Sequence, residues 1–239
     1  MAGLEENLFD SKEAMVAALR DDVVARLSVA ADQDGRASLV GSGGSTPGPL
    51  FDALSRSEAP WEKVEVTTTD ERWASADDDA SNEKLIRTRL ITNKAAGARY
   101  VSLLTGHDSP LDPAAEAEAN ARIAAMRRPF DVVIAGMGPD GHAVSWFPGL
   151  PGTDPSVIDP KAPALARGVG PIPTANGAPN RMTLTLHAIG DARRLVLLFT
   201  GEEKMAVFRK ALEPGPTEDL PVRALLRDAK SPVALYWAP

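Results

Sequence analysis

The run Asp131-Val132-Val133-Ile134-Ala135 sets the tightest limit on what this chain can fold into. A strand with one wet face alternates apolar and polar residues, and this one does not. It must therefore be covered on both faces, as the strands of a parallel sheet are. Leu195 to Thr200 has the same character. Around these two runs stand segments with helical spacing. Ser11 to Ala30 places Met15, Ala18, Leu19, Val23 and Leu27 on one stripe, with Ser11 as N-cap. Ala37 to Val40 reads as a strand halted by Gly41-Ser42-Gly43-Gly44. Pro47 then opens a helix through Leu50, Phe51 and Leu54. Val64 to Val66 is a further strand and Val233 to Trp237 a last one. Asn82 to Ile91, Pro113 to Met126 behind an Asp112 cap, and Glu202 to Leu212 are expected helices. Strands alternating with helices predict an α/β fold with a mostly parallel, doubly wound sheet. Gly149 to Pro179, rich in Pro and Gly, is expected to be a long irregular loop. No repeat and no linker divides the chain, so residues 1–239 are expected to form a single domain.

Composition narrows the function classes. Hydrophobic residues make up 44% of the chain, enough for a sizeable core. There is no cysteine, which excludes disulfides, thiolate metal sites and a cysteine nucleophile. The net charge of −7 repels nucleic acid and anionic membranes, so neither is an expected partner. A small anion can still bind where basic side chains and backbone N–H groups converge. The N-terminus, Met1-Ala2-Gly3-Leu4-Glu5-Glu6, has neither a basic start nor an apolar core like that of a secretory signal. No apolar run reaches the ~18 residues of a membrane span. A soluble, cytoplasmic protein is expected.

Five stretches carry chemistry. Gly41 to Gly48 follows a strand and opens a helix. Its glycines expose backbone N–H groups, Ser45 and Thr46 add hydroxyls, and the helix N-terminus adds partial positive charge. It is either an anion site of phosphate size or an ordinary flexible turn. Gly136-Met137-Gly138-Pro139-Asp140-Gly141-His142 fits G-x-G-x-x-G, but Pro148, Gly149, Pro151 and Gly152 interrupt the long helix that a dinucleotide site needs. The loop instead sets a carboxylate two residues from an imidazole. Histidine, with an unperturbed pKa of about 6.5, suits proton transfer near neutrality. Asp70-Glu71-Arg72-Trp73 ends a strand with three charges, which either are solvated or face the same crevice. Arg181 and Lys204 begin a strand and a helix. Taken singly, each is an ordinary surface cation.

Together these stretches resemble one family, the 6-phosphogluconolactonases. The resemblance is carried, in order, by Ser42-Gly43-Gly44-Ser45-Thr46-Pro47, Asp70-Glu71-Arg72-Trp73, Ser81-Asn82, Gly136 to His142, Phe147-Pro148-Gly149, Arg181 to Thr185 and Gly201-Glu202-Glu203-Lys204. Ala143-Val144-Ser145-Trp146 stands where the family usually has Thr-Ala-Ser-Leu, and Ala178-Pro179-Asn180 lacks a lysine often found there. The resemblance implies a modified Rossmann-like fold shared with glucosamine-6-phosphate deaminase. It also implies a lactone esterase of the oxidative pentose phosphate pathway that needs no cofactor and no metal. Its partner would be a small sugar phosphate, and no protein partner is implied.

Lactone hydrolysis needs an activated water and donors for the oxyanion. His142 is the expected base, with Asp140 orienting or charge-stabilising the imidazole. The two lie close in sequence, which leaves open whether they pair directly. Arg72 is expected on the substrate or the developing oxyanion. Gly43, Gly44, Ser45 and Thr46 would hold the phosphate with Arg181 and Lys204, and Asp70, Asn82 and Gly138 would make further substrate contacts. Two other functions fit the same fold: a glucosamine-6-phosphate deaminase or isomerase, and a non-catalytic sugar-phosphate-binding protein.

Overall fold

A computed structural model describes residues 3–150, 154–170 and 179–239. The chain opens with β1 (Leu4–Leu8) and the long α1 (Lys12–Asp34). The Ser11 hydroxyl accepts from the Ala14 amide at 3.1 Å to start that helix. Gly35, at φ 71°, stops it in the left-handed region by donating back to Ala31 O. There follow β2 (Ala37–Gly41), α2 (Gly48–Ser55), β3 (Val64–Thr68), β4 (Asp70–Arg72), α3 (Asn82–Arg89), β5 (Arg99–Tyr100), α4 (Pro113–Ala125) and β6 (Val132–Gly136). The remainder is β7 (Ala166–Val169), β8 (Arg181–Leu184), α5 (Leu186–Ile189), β9 (Leu195–Thr200), α6 (Glu202–Leu212), α7 (Val222–Asp228) and β10 (Val233–Ala238).

Seven strands form one sheet in the order β1-β10-β9-β6-β2-β3-β5, and every neighbouring pair is parallel. The residues of β6 show why the sheet is covered twice. Val132 and Ile134 pack with α1, α2 and α3 on one face. Val133 and Ala135 pack with α4, α5, α6 and α7 on the other. The α/β, doubly wound reading therefore stands. Strand order reverses between β2 and β6, so their C-terminal loops diverge and open a crevice, the usual place for a ligand in such sheets.

Three features depart from the expectation. β1 is a strand despite its acidic sequence. As the edge strand it pairs with β10 alone, and Glu5 and Glu6 meet Arg194 and Arg209. Asp70 to Arg72 is not a solvated loop: β4 joins β8 and β7 in a second, antiparallel sheet of order β4-β8-β7. The stretch expected as loop contains a 3₁₀ turn at Pro155–Ile158 and all of β7. Residues 151–153 and 171–178 of that stretch lie outside the described residues.

Candidate active site

The loop after β2 turns against α3. A Cβ on Gly43 would stand 1.8 Å from Asn82 Oδ1, so this position admits glycine alone. Asn82 is the first residue of α3, and its Nδ2 donates to Asp70 O at 2.7 Å. The amides of Gly43, Gly44, Ser45 and Thr46 donate to no backbone carbonyl among the described residues. They remain free at the N-terminus of α2, which is the electrostatic arrangement of an anion cradle.

Strand alternation sorts the three charges of β4. Glu71 turns from the crevice and is fully buried. Its carboxylate accepts from the amides of Arg72, Asn82 and Glu83 at 2.8, 2.9 and 2.6 Å and from the Ser81 hydroxyl at 3.1 Å. Burial pushes this carboxyl above the usual range, against the pull of those amides. Asp70 and Arg72 take the opposite face. Asp70 accepts from the hydroxyls of Ser145 at 2.6 Å and Thr69 at 2.9 Å. Arg72 donates to Asn82 Oδ1. The β4–β8 register sets Arg72 opposite Arg181, whose Nη1 lies 3.4 Å from Asp70 Oδ2. Burial lowers the Arg181 pKa; nearby Asp70 opposes this and Arg72 adds to it.

The loop after β6 folds back on itself. Gly138 N donates to His142 O at 2.9 Å, and Gly141 reverses the chain at φ 80°. This tight turn answers whether Asp140 and His142, two residues apart, pair directly: Asp140 Oδ1 lies 2.6 Å from His142 Nδ1 and also accepts from the His142 amide at 3.1 Å. A Cβ on Gly138 would stand 2.2 Å from the imidazole, so this glycine makes room for the ring. Burial alone would raise the Asp140 pKa, but the hydrogen bond and charge of His142 outweigh it and hold the carboxyl below its ordinary value. An ionised Asp140 on Nδ1 leaves Nε2 as the ring nitrogen free to take a proton. Beyond His142 three side chains pin the loop. Ser145 reaches Asp70, Trp146 Nε1 donates to Leu184 O at 3.0 Å, and Phe147 lies buried beneath the His142 ring. Val144 lines the crevice at φ 58°, a strained conformation for a β-branched residue.

Lys204 completes the cluster from the first turn of α6, after Gly201 at φ 92°. Burial lowers its pKa, opposed by Asp140 and Glu203. These elements enclose one cleft of about 250 Å³. Gly43, Gly44, Ser45, Thr46, Asp70, Arg72, Asn82, Gly138, His142, Arg181 and Lys204, all singled out from the sequence, line it. Asp140 stands behind the imidazole. Sequence reading missed Glu71, Ser145 and Phe147 as supports. Glu71 and Phe147 sit inside motifs already marked, but nothing in a motif says which way a side chain turns. Among the described residues, no three His, Cys, Asp or Glu side chains group to hold a metal ion, and no helix is long and apolar enough to cross a membrane.

Residues 10–237 match the family model of glucosamine-6-phosphate isomerases/6-phosphogluconolactonase. A 6-phosphogluconolactonase of Rhizobium meliloti (strain 1021) is 42% identical over 98% of both chains. The crystal structure of a 6-phosphogluconolactonase from Shewanella baltica OS155 superposes with a TM-score of 0.90 at 37% identity, over 99% of this chain and 98% of that one. A monomeric glucosamine-6-phosphate deaminase shares the fold, with a TM-score of 0.76 at 18% identity over 98% of this chain and 97% of that one.

Proposed function

This chain belongs to the glucosamine-6-phosphate isomerase/6-phosphogluconolactonase family, and from that premise we propose that it hydrolyses 6-phospho-D-glucono-1,5-lactone to 6-phosphogluconate as one domain, in the cytoplasm, within the oxidative pentose phosphate pathway. The observation that carries the mechanism is the Asp140–His142 pair beside a cleft rich in unpaired anion donors. The phosphate rests on the free amides of Gly43 to Thr46, with Arg181 and Lys204 supplying charge. Asp70, Asn82 and Gly138 border the sugar. Water loses a proton to His142 Nε2 as its oxygen bonds to the lactone carbonyl carbon. The carbonyl becomes an oxyanion, and Arg72 meets this charge or the substrate beside it. Collapse breaks the bond to the ring oxygen, which takes the proton from the imidazolium. The carboxylic acid formed then ionises, so one proton is released per turnover. Asp140 acts through His142 by fixing the tautomer and stabilising the imidazolium.

The test uses two substrates and two readouts: acid release from freshly made lactone and ammonia release from glucosamine 6-phosphate. Acid release above the spontaneous rate, without ammonia, is expected. Ammonia without acid makes the protein a deaminase. Binding of both compounds without turnover makes it a non-catalytic sugar-phosphate-binding protein.

A further inference from the structure

Phe147 is 7% exposed, yet it belongs to neither of the two large cores. Its buried apolar neighbour is Val169 of β7. Its ring instead serves two polar groups of the cleft. The His142 imidazole lies against it with centroids 4.8 Å apart and planes tilted by 39°. The Arg181 guanidinium sits over the same ring, with Cζ 5.3 Å from its centroid. Arg181 is otherwise held by Asp70 at 3.4 Å, a long contact. The loop that carries Phe147 is fixed on both sides, by Trp146 on Leu184 O and by Gly149 N donating to Glu218 O at 2.8 Å. The ring is therefore set by the scaffold, while the base and the cation lean on it.

We infer that Phe147 is a positioning and specificity residue: one ring seats both His142 and Arg181, so the site's hold on an anion and the aim of its base depend on the same side chain. An aromatic face attracts a guanidinium and fixes its plane. The same ring limits the swing of an imidazole that Asp140 holds at one nitrogen alone. This inference rests on the proposed lactonase reading. Its chemistry requires only that Arg181 faces the bound anion and His142 the reacting carbonyl.

The experiment is a double-mutant cycle of Phe147→Leu with Arg181→Ala, read separately in KM and kcat for the phosphorylated lactone. Phe147→Leu is expected to raise KM about 3- to 30-fold, the range of a desolvated cation–π contact, and to lower kcat about 10- to 100-fold, as for a misplaced catalytic group. In the Arg181→Ala background the KM effect should vanish and the kcat effect remain. A KM effect that simply adds to that of Arg181→Ala overturns the inference, as does near wild-type behaviour of Phe147→Leu. Should the leucine variant melt below assay temperature, Phe147→Met keeps side-chain bulk without a ring and answers the same question. A second arm needs no turnover: inorganic phosphate is titrated into protein with ¹⁵N-labelled histidine, following the His142 ring resonances. Wild type should respond, and Phe147→Leu should bind phosphate more weakly with a smaller response. If wild type responds but hydrolyses no lactone, the functional reading fails while this one stands. Identical titrations of wild type and variant overturn the inference.

Discussion

The two ends of the central sheet use the same kinds of residue to opposite effect. At the N-terminal end of β6, Asp131 is 2% exposed and closed in by partners. Its Oδ2 accepts from Ser38 N and Arg127 Nε, both at 2.8 Å, and Arg193 Nε lies 3.5 Å from Oδ1. Arg127 spans on to Asp34 at 2.5 Å and donates its amide to Glu65 at 2.9 Å. These charges tie the ends of α1, β2, β3 and α4 together, and most of their polar capacity is spent inside the protein; Asp131 Oδ1, near Arg193 but without a hydrogen bond, is the exception. At the C-terminal end the pairing stops one step short. Asp140 holds one imidazole nitrogen and leaves the other free, Arg181 is held only loosely by Asp70, and Lys204 has no hydrogen-bond partner among the described residues. Among the described residues the four amides of the Gly43 to Thr46 loop meet no backbone acceptor either. What separates a structural charge cluster from a binding site here is the valence left over, not the residue types.

Two substitutions break this contrast in opposite ways. At the open end, His142→Asn keeps a polar, hydrogen-bonding side chain but removes the proposed base. It is expected to lower kcat by about 10²–10⁴, the usual contribution of a positioned acid/base group. Stability should change by no more than about 0.5 kcal/mol, as for a partly exposed site. Matched kinetics and urea melts check both, and retention of more than about a tenth of wild-type kcat would make His142 structural. At the closed end, Asp131→Ala takes from buried Arg127 one of its two carboxylate partners and leaves the buried Ser38 amide without its acceptor, with Asp34 still in place. It is expected to lower unfolding free energy by about 3–5 kcal/mol. The kcat of the molecules that remain folded should not change. A tenfold loss of kcat at unchanged stability would mean that the two ends are coupled.

Legibility in the sequence followed the same divide. β6 and β9 could be read because burial on both faces writes itself as an unbroken apolar run. α1 and α4 could be read because Ser11 and Asp112 cap them by local chemistry that needs no distant partner. β1 could not, because its acids are balanced by Arg194 and Arg209, 189 and 203 residues away, and no local pattern holds that fact. The pairing of β4 was hidden for a related reason, and the choice between solvated charges and charges facing the crevice stayed open. Asp70 and Arg72 look solvated until β8 pairs with them and the fold buries Glu71 on the far side. α7 shows no stripe, since five consecutive residues from Val222 to Leu226 are buried. The residues that line the cleft were legible through glycine spacing and family-like motifs. The Asp140–His142 contact was not, because it depends on Gly141 turning the chain back at φ 80°.

Lys204 offers the smallest effect and the sharpest pH signature. Lys204→Ala removes a charge from a group remote from the reacting carbon. It should therefore raise KM and leave kcat almost unchanged. A charge-assisted contact of about 1.5–3 kcal/mol corresponds to roughly a 10- to 150-fold rise. The sign of the pH dependence follows from burial, which lowers the Lys204 pKa from the ordinary 10.5. The ammonium is charged below its pKa, so the share of phosphate binding that Lys204 is proposed to supply is present below that depressed value and is lost as pH rises through it. The rise in KM should thus begin at less alkaline pH than an ordinary lysine would give. Lys204→Arg tests the cause, because a guanidinium stays charged throughout the accessible range. Its baseline KM will shift with the changed geometry, but the alkaline rise should disappear. Spontaneous lactone hydrolysis grows with pH and must be subtracted at each point. If the alkaline rise persists unchanged in both variants, another group supplies the charge, and the free valence at this end of the sheet is not Lys204's.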